Sequence, residues 1–302
     1  MTAAVIIAAG RTSRKERFSP EKQIGKVTAI ERIALLFQLA GIRKIVVIGD
    51  EEELPQKLLS DMNVTFLTAS AGGEMLDSVK KALDYLQDKC QRVLISTADV
   101  PLFTKQTVQL LQAEDAPICI PSYQGRCGHP VLLRADCFHS ILSHQGDGGL
   151  RGAIEAANIP IKIIDTDDPG IRADSRDDAV CESLLADHDL MKMWVSCKIR
   201  INREKGFYGP GAHQLLQLTE EFGSLSQACQ HMGISYSKGR KIIATLEDQL
   251  GVPILETRQG GKAGGFSRLT EAARAMMRQY SAFLEEAEAA VQEIFRKHFP
   301  GI

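Results

Sequence analysis

The chain has 302 residues, of which 44% are apolar and 25% charged, and carries a net charge of −2. That length suits two domains better than one, and the composition is ordinary for a soluble globular protein. No apolar run approaches bilayer-spanning or signal-peptide length, and the seven cysteines are scattered without a CxxC pair, so a membrane protein and a Cys-based zinc site are excluded and a reduced, cytoplasmic protein is expected.

Residues 3–9 form a continuous apolar run closed by Gly10, the pattern of a buried parallel strand. A short basic stretch, Arg11-Thr12-Ser13-Arg14-Lys15, follows. Residues 29–40 have helical periodicity through Ile30, Ile33, Leu36 and Phe37, with Gly41 at the C-terminal end. Strands are expected at 44–49 and 63–68, a helix at 75–86, a strand at 92–96 and a helix at 104–112. Further on, 125–131 leads into a strand, 146–151 opens a helix, 161–165 is a strand and 173–178 starts the last helix of this part. The alternation predicts a mostly parallel sheet with helices on both faces, and ligands gather at the carboxyl ends of such strands.

Two features fall at those ends. Ala8-Ala9-Gly10 lets backbone N–H groups approach a ligand, and Arg11 and Arg14 can grip phosphate oxygens; a plain turn with surface arginines gives the same residues. Asp99 follows an apolar strand and precedes Pro101, a place from which a carboxylate can hold Mg2+ against phosphates, although a turn or cap aspartate reads the same way. Read bare, His129 is equally a structural histidine, and Asp174 and Ser175 are helix-start residues.

Taken in order, these segments resemble the MobA/MocA-like nucleotidyltransferases, which attach a nucleotide to molybdopterin during molybdenum cofactor synthesis. The family's AAGxSxR-type loop resembles 8–14, its G-K and E-R pairs match Gly25-Lys26 and Glu31-Arg32, and its GMxxSV-like segment resembles 73–79. Its GDMPL metal motif resembles 98–102, its RGxxGHP loop 124–130, its GDxGxR segment 146–151 and its DTPED end 174–178. AAG together with GHP favours the cytidylyltransferase side. The resemblance implies that Ala8, Ala9, Gly10 and Ser78 contact the nucleotide, that Arg14 holds its triphosphate, that Asp99 and Asp174 hold Mg2+, and that His129, Asp147 and Arg151 face the acceptor. It also implies attack of a molybdopterin phosphate on the α-phosphate of CTP or GTP. Ser19 stands where the family's phosphate-binding lysine falls, with Lys22 and Lys15 as substitutes, and Glu16 replaces a glycine.

The character of the chain changes near residue 195. From Lys198 onward fourteen Lys and Arg face eleven Asp and Glu, so the remainder of the chain carries −5. Helices are expected at 212–222, 225–232 and 236–250, with 198–201 strand-like and 206–211 a turn. Gly233 lies between the second and third helices, the signature of a helix-turn-helix. Ser235, Tyr236, Ser237, Lys238, Arg240 and Lys241 open the third helix, small and basic as base edges and phosphates require. Strands 254–257 and 266–269 flank a glycine-rich, cationic wing containing Lys262. Thr270 caps a helix over 271–297 whose stripe of Ala272, Met276, Tyr280, Phe283, Leu284, Ala287, Val291 and Ile294 can bury against a twin. This part resembles the N-terminal DNA-binding domain of ModE-type, LysR-like molybdate-responsive regulators, through 207–211, 223–228, 232–236 and 260–265.

The expected fold is therefore α/β: a Rossmann-like, mostly parallel sheet nucleotidyltransferase domain at 1–190, then a mostly α winged helix-turn-helix domain at 197–302 with a long C-terminal helix. The expected partners are CTP or GTP, a molybdopterin-type substrate, Mg2+, double-stranded DNA and a second copy of the chain through the last helix, with no membrane. Two functions stay open: an enzyme carrying a DNA-binding regulator domain, or a molybdenum-related transcription regulator whose altered transferase domain only senses a nucleotide or pterin.

Overall fold

In a computed structural model, which describes residues 1–8, 22–49, 62, 64–69, 73–258 and 266–300, the chain divides into the units Met1–Lys192 and Met193–Ile302. The first unit begins with β1 (Thr2–Ile7), the hairpin of β2 (Gln23–Ile24) and β3 (Val27–Thr28), α1 (Ala29–Leu39), β4 (Lys44–Gly49) and β5 (Thr65–Thr68). It continues with α2 (Met75–Leu86), β6 (Arg92–Thr97), α3 (Lys105–Ala113), β7 (Ile118–Tyr123), β8 (Arg126–Cys127) and β9 (Val131–Arg134). It ends with α4 (Phe138–Ser143), α5 (Gly149–Ala157), β10 (Ile161–Asp165) and α6 (Asp178–Leu185).

The sheet runs β10-β7-β9-β6-β1-β4-β5, with β8 paired to β7. Its pairs β1–β4, β1–β6, β4–β5 and β10–β7 are parallel, while β9 runs against both β6 and β7. Successive side chains of a strand point to opposite faces, and here both faces are covered. Ala4 and Ile6 pack with Ile30, Ile33, Phe37 and Phe103. Ala3, Val5 and Ile7 pack with Leu76, Val79, Leu83 and Phe138. Burial on both sides is why β1 reads as an unbroken apolar run rather than an alternating one. The chain leaves β1 towards β4 and later returns to β6 on its other side, so the carboxyl ends of β1 and β6 form a topological switch point.

Local chemistry sets the boundaries. Thr28 and Glu31 close a capping box at the start of α1, with Thr28 N donating to Glu31 Oε2 at 2.7 Å and Glu31 N to Thr28 Oγ1 at 3.3 Å. Arg32, from the Glu31-Arg32 pair, serves the fold: it is 2% exposed and donates to the Ile24 carbonyl at 2.6 Å. Its other terminal nitrogen lies 3.2 Å from His188 Nδ1, and His188 Nε2 lies 3.3 Å from the Phe103 carbonyl. Burial, helped by the Arg32 charge, pushes the His188 pKa down. Among the described residues no helix is long and apolar enough to cross a membrane.

The second unit pairs β11 (Ile201–Asn202) with β12 (Gly206–Tyr208) and continues with α7 (Pro210–Phe222), α8 (Leu225–His231) and α9 (Tyr236–Leu250). Antiparallel β13 (Leu255–Arg258) and β14 (Phe266–Leu269) follow, then α10 (Glu271–His298). Residues 206–208, expected within a turn, are a strand: Phe207 and Tyr208 favour extended backbone, and Tyr208 is 1% exposed. Pro210 sits at the first position of α7, where its missing N–H costs no hydrogen bond, so the helix starts before residue 212. Ser224 and Ser235 cap α8 and α9 by accepting from Gln227 N at 3.3 Å and Lys238 N at 3.2 Å.

Gly239 is where α9 meets α8. A Cβ there would stand 2.2 Å from the Cys229 sulfur, which is itself buried. Gly239→Ala is expected to destabilise this unit by about 1–3 kcal/mol through overpacking, less the helix propensity gained. Adding Cys229→Ala, which removes the clashing sulfur, is expected to restore most of the loss in thermal melts; additive effects of the two substitutions would refute the contact.

Tyr280 does not belong to the stripe left for a twin helix. Its ring packs at 4.9 Å from both Tyr208 and His213, and its hydroxyl donates to the Ile199 carbonyl at 2.8 Å. His213 is 6% exposed, with Tyr208 Oη 2.9 Å from Nδ1 and Ser281 Oγ 3.3 Å from Nε2. Burial depresses its pKa from 6.5 to about 4. The unfolded chain therefore takes up a proton that the folded unit refuses between these values. Stability contributed by the neutral imidazole is complete above pH 6.5 and falls as the pH drops towards 4, by about 3 kcal/mol in all. An NMR titration of the His213 ring is expected to show a midpoint near 4; an ordinary histidine midpoint would contradict this burial.

Candidate functional site

Three segments converge at the switch point. Ala8 N donates to the Ile48 carbonyl at 2.7 Å and Ala98 N to the Ile7 carbonyl at 2.9 Å, so the strand ladders run on to the edge where Asp99 emerges. The second segment is 168–176. The Asp168 carboxylate anchors it to the start of α3, accepting from Thr104 N at 2.7 Å, Thr107 Oγ1 at 2.6 Å and Gly170 N at 2.8 Å. Gly170 passes so close to Leu102 that a Cβ would fall 1.8 Å from the Leu102 carbonyl oxygen, so glycine is required by proximity alone. The third is the loop before β9, where His129 N donates to the Ile171 carbonyl at 2.8 Å. Ser175 N then donates to the Asp99 carbonyl at 2.7 Å, which brings Asp174 beside Asp99.

A guanidinium joins the two carboxylates. Arg176 Nε donates to Asp174 Oδ1 at 2.8 Å, and its Nη2 both contacts Asp174 Oδ2 and lies 3.6 Å from Asp99 Oδ2. The three side chains are only 18–28% exposed. Lys22 reaches the same segment, donating to the Ser175 carbonyl and to Asp178 Oδ1 at 2.7 Å. Burial pushes the His129 pKa down against the opposing charge of Asp99, which keeps the imidazole neutral at neutral pH, and its Nδ1 has no hydrogen-bond partner among the described residues. Two hard oxygen donors around one positive charge match the needs of Mg2+, which takes one or two carboxylates and leaves its other positions to phosphates and water. No group of three or more His, Cys, Asp or Glu side chains among the described residues is placed to hold a metal.

Thus Lys22, Asp99, His129 and Asp174 come together, with Ala8 at the same strand edge. Ser78 is 3% exposed within α2. Asp147 is exposed just before α5, and Arg151 pairs with Glu155 at 2.8 Å on that helix. Ala9, Gly10, Arg14, Lys15, Glu16 and Ser19 lie outside the described residues. Sequence reasoning missed Arg176; its signal was a cation in third place of the segment resembling DTPED, where the pattern has proline. A separate cleft of about 620 Å3 at the ends of β7 and β10 is lined by Ser122, Tyr123, Gln124, Asp165 and Asp167. Among the described residues it has carboxylates and no lining cation, which disfavours phosphates.

In the second unit, α9 buries Gly239, Ile243 and Leu246 and exposes Ser235, Tyr236, Ser237, Lys238, Arg240 and Lys241 together. Among the described residues Lys238, Arg240 and Lys241 make no ion pair. Cations in the first turns of a helix oppose its dipole, so this helix gains from an external anion at its N-terminus. Arg274 and Arg278 are instead paired with Glu220 at 2.8 Å and Glu271 at 2.7 Å, so their charges are already met within the unit. Lys262 lies outside the described residues.

A nucleotidyltransferase fold followed by a DNA-binding helix-turn-helix is the class these two units define. The chain belongs to the family described as the MobA-like NTP transferase domain, which matches residues 4–161. Residues 212–274 match the bacterial regulatory helix-turn-helix protein, lysR family. The first unit is similar in fold to a nucleotidyl transferase from Methanothermobacter thermautotroptrophicus, with a TM-score of 0.52 and 19% identity over 61% of this chain and 98% of the other. It is also similar to a 4-diphosphocytidyl-2C-methyl-D-erythritol synthase, with a TM-score of 0.50 and 15% identity over 61% of this chain and 98% of the other. Among curated proteins, the molybdenum-pterin-binding protein MopA of Rhodobacter capsulatus is 31% identical over 64 residues, which are 21% of this chain and 24% of MopA.

Proposed function

We propose that the first unit transfers CMP from CTP, in preference to GMP from GTP, to a terminal phosphate of molybdopterin, and that the second unit binds double-stranded DNA as a homodimer through α10. The convergence of Asp99 and Asp174 on one positive charge at the switch point carries the first part. The acceptor phosphate attacks the α-phosphorus in line, and the bond to the bridging oxygen breaks to release pyrophosphate. Such a transfer depends on positioning and charge neutralisation more than on acid–base groups. Mg2+, when bound, offsets the charge that develops on the phosphoryl oxygens. Asp99 and Asp174 would hold it, Arg14 and Lys22 would meet the triphosphate, and the small Ala8-Ala9-Gly10 would admit base and ribose. His129, Asp147 and Arg151 would face the acceptor, with neutral His129 adding no charge to it. The motif order along 8–178 and the curated relative's name support molybdopterin as acceptor.

For the second unit, the exposed set on α9 and the paired strands β13 and β14 support DNA contact, with Lys262 proposed as a further phosphate contact. Phe283 and Ile294 on α10 are 50% and 56% exposed, which supports burial against a second copy. One observation favours a second reading, a regulator whose first unit only senses its ligand: Arg176 already pairs with Asp174 and lies 3.6 Å from Asp99 Oδ2. Incubation with Mg2+, molybdopterin and labelled CTP or GTP separates the two. Pyrophosphate release that requires molybdopterin is expected; intact nucleotide binding without release would leave only the sensing reading.

A further inference from the structure

We infer that Arg176 is an internal cation that competes with the divalent ion for Asp99 and Asp174, so that metal enters this pair only by displacing the guanidinium. The inference rests on the proposed reading of these two aspartates as the metal-holding pair. The guanidinium takes both oxygens of Asp174, through Nε at 2.8 Å and through Nη2, and the same Nη2 lies 3.6 Å from Asp99 Oδ2. The Arg176 backbone N–H adds a bond to Asp174 Oδ1 at 2.9 Å, so this carboxylate is held facing its own segment. The three side chains are 18–28% exposed, which limits screening by water and strengthens the pairing. Two cations cannot share so small a space between two carboxylates without strong repulsion.

The backbone just before Arg176 is anchored. Ser175, 0% exposed, is fixed by its N–H bond to the Asp99 carbonyl at 2.7 Å, and Lys22 holds the Ser175 carbonyl from the other side. For metal to enter, the Arg176 guanidinium has to swing away. Its fork matches a carboxylate and equally a phosphate, so an arriving nucleotide can draw the guanidinium away as the metal takes its place. Metal affinity is then low without nucleotide.

The test uses the full chain and Mn2+ alone, with free Mn2+ followed by electron paramagnetic resonance. Arg176→Gln is expected to bind Mn2+ at least about tenfold more tightly than the parent chain, and adding Asp99→Asn is expected to abolish the gain. Arg176→Lys, which keeps a charge but loses the fork, serves if the glutamine variant does not fold, and a gain of about threefold is expected for it. Unchanged or weaker Mn2+ binding in the folded variant overturns the inference. If the parent chain then still binds Mn2+ in a manner sensitive to Asp99→Asn, the aspartate reading survives. If no chain binds Mn2+ through Asp99, both fall.

Discussion

Asp99→Asn is expected to lower nucleotidyl transfer by about 10³-fold or more, because it removes a carboxylate proposed to hold the Mg2+ whose offset of phosphoryl charge is worth several kcal/mol. The loss should appear in turnover at saturating nucleotide. The fold should survive: the substitution keeps the shape, and the bonds that position the loop use the backbone, from Ala98 N to the Ile7 carbonyl and from Ser175 N to the Asp99 carbonyl. A melting temperature close to the parent chain's, together with collapsed pyrophosphate release, is the expected pair of results. Near-normal release would remove Asp99 from the reaction. A comparable loss in Asp168→Asn would have a different origin, since that carboxylate is 6% exposed and spends its oxygens on Thr104, Thr107 and Gly170; it should come with a lower melting temperature.

The second large effect concerns DNA. Replacing Lys238, Arg240 and Lys241 together by alanine is expected to weaken binding to duplex DNA on the order of 10²-fold at physiological salt. If all three meet phosphates, the slope of log affinity against log salt should fall by about 2.7 for each unit bound. The three side chains are exposed and bear on no core contact, so stability should change little or rise slightly as the helix N-terminus loses unfavourable cations. Arg274→Ala and Arg278→Ala serve as controls. Their charges are already met by Glu220 and Glu271, and their loss should cost far less affinity. Equal losses from the controls and the triple variant would mean that general charge, not this helix, governs binding.

Much of this architecture was legible in the sequence because burial on both faces writes itself as apolar runs and serine caps mark helix starts. The strands at 2–7 and 92–97 and the helices at 225–231 and 236–250 follow from those signals. The hairpin at 23–28 and the strand at 206–208 did not, since two or three residues of pairing carry no periodicity, and the helix at 138–143 is too short to show one. The aspartates could be located by motif, but their relation could not. Asp99 and Asp174 are 75 positions apart in the chain, and what joins them is backbone chemistry: a glycine that lets residue 170 reach Leu102, and an N–H from Ser175. Tyr280 shows the opposite failure. Its place in an apolar stripe was visible, but a stripe does not say which partner covers it, and Tyr208 and His213 of its own unit do.

The most direct test of the account is the mass of the pterin recovered after the full chain is incubated with Mg2+, molybdopterin and equal amounts of CTP and GTP. The account predicts a product heavier by one cytidylyl group (CMP less water), with little or none carrying a guanylyl group, and release of pyrophosphate in equal amount. Unchanged molybdopterin, recovered from a folded chain that binds the nucleotide, would contradict it.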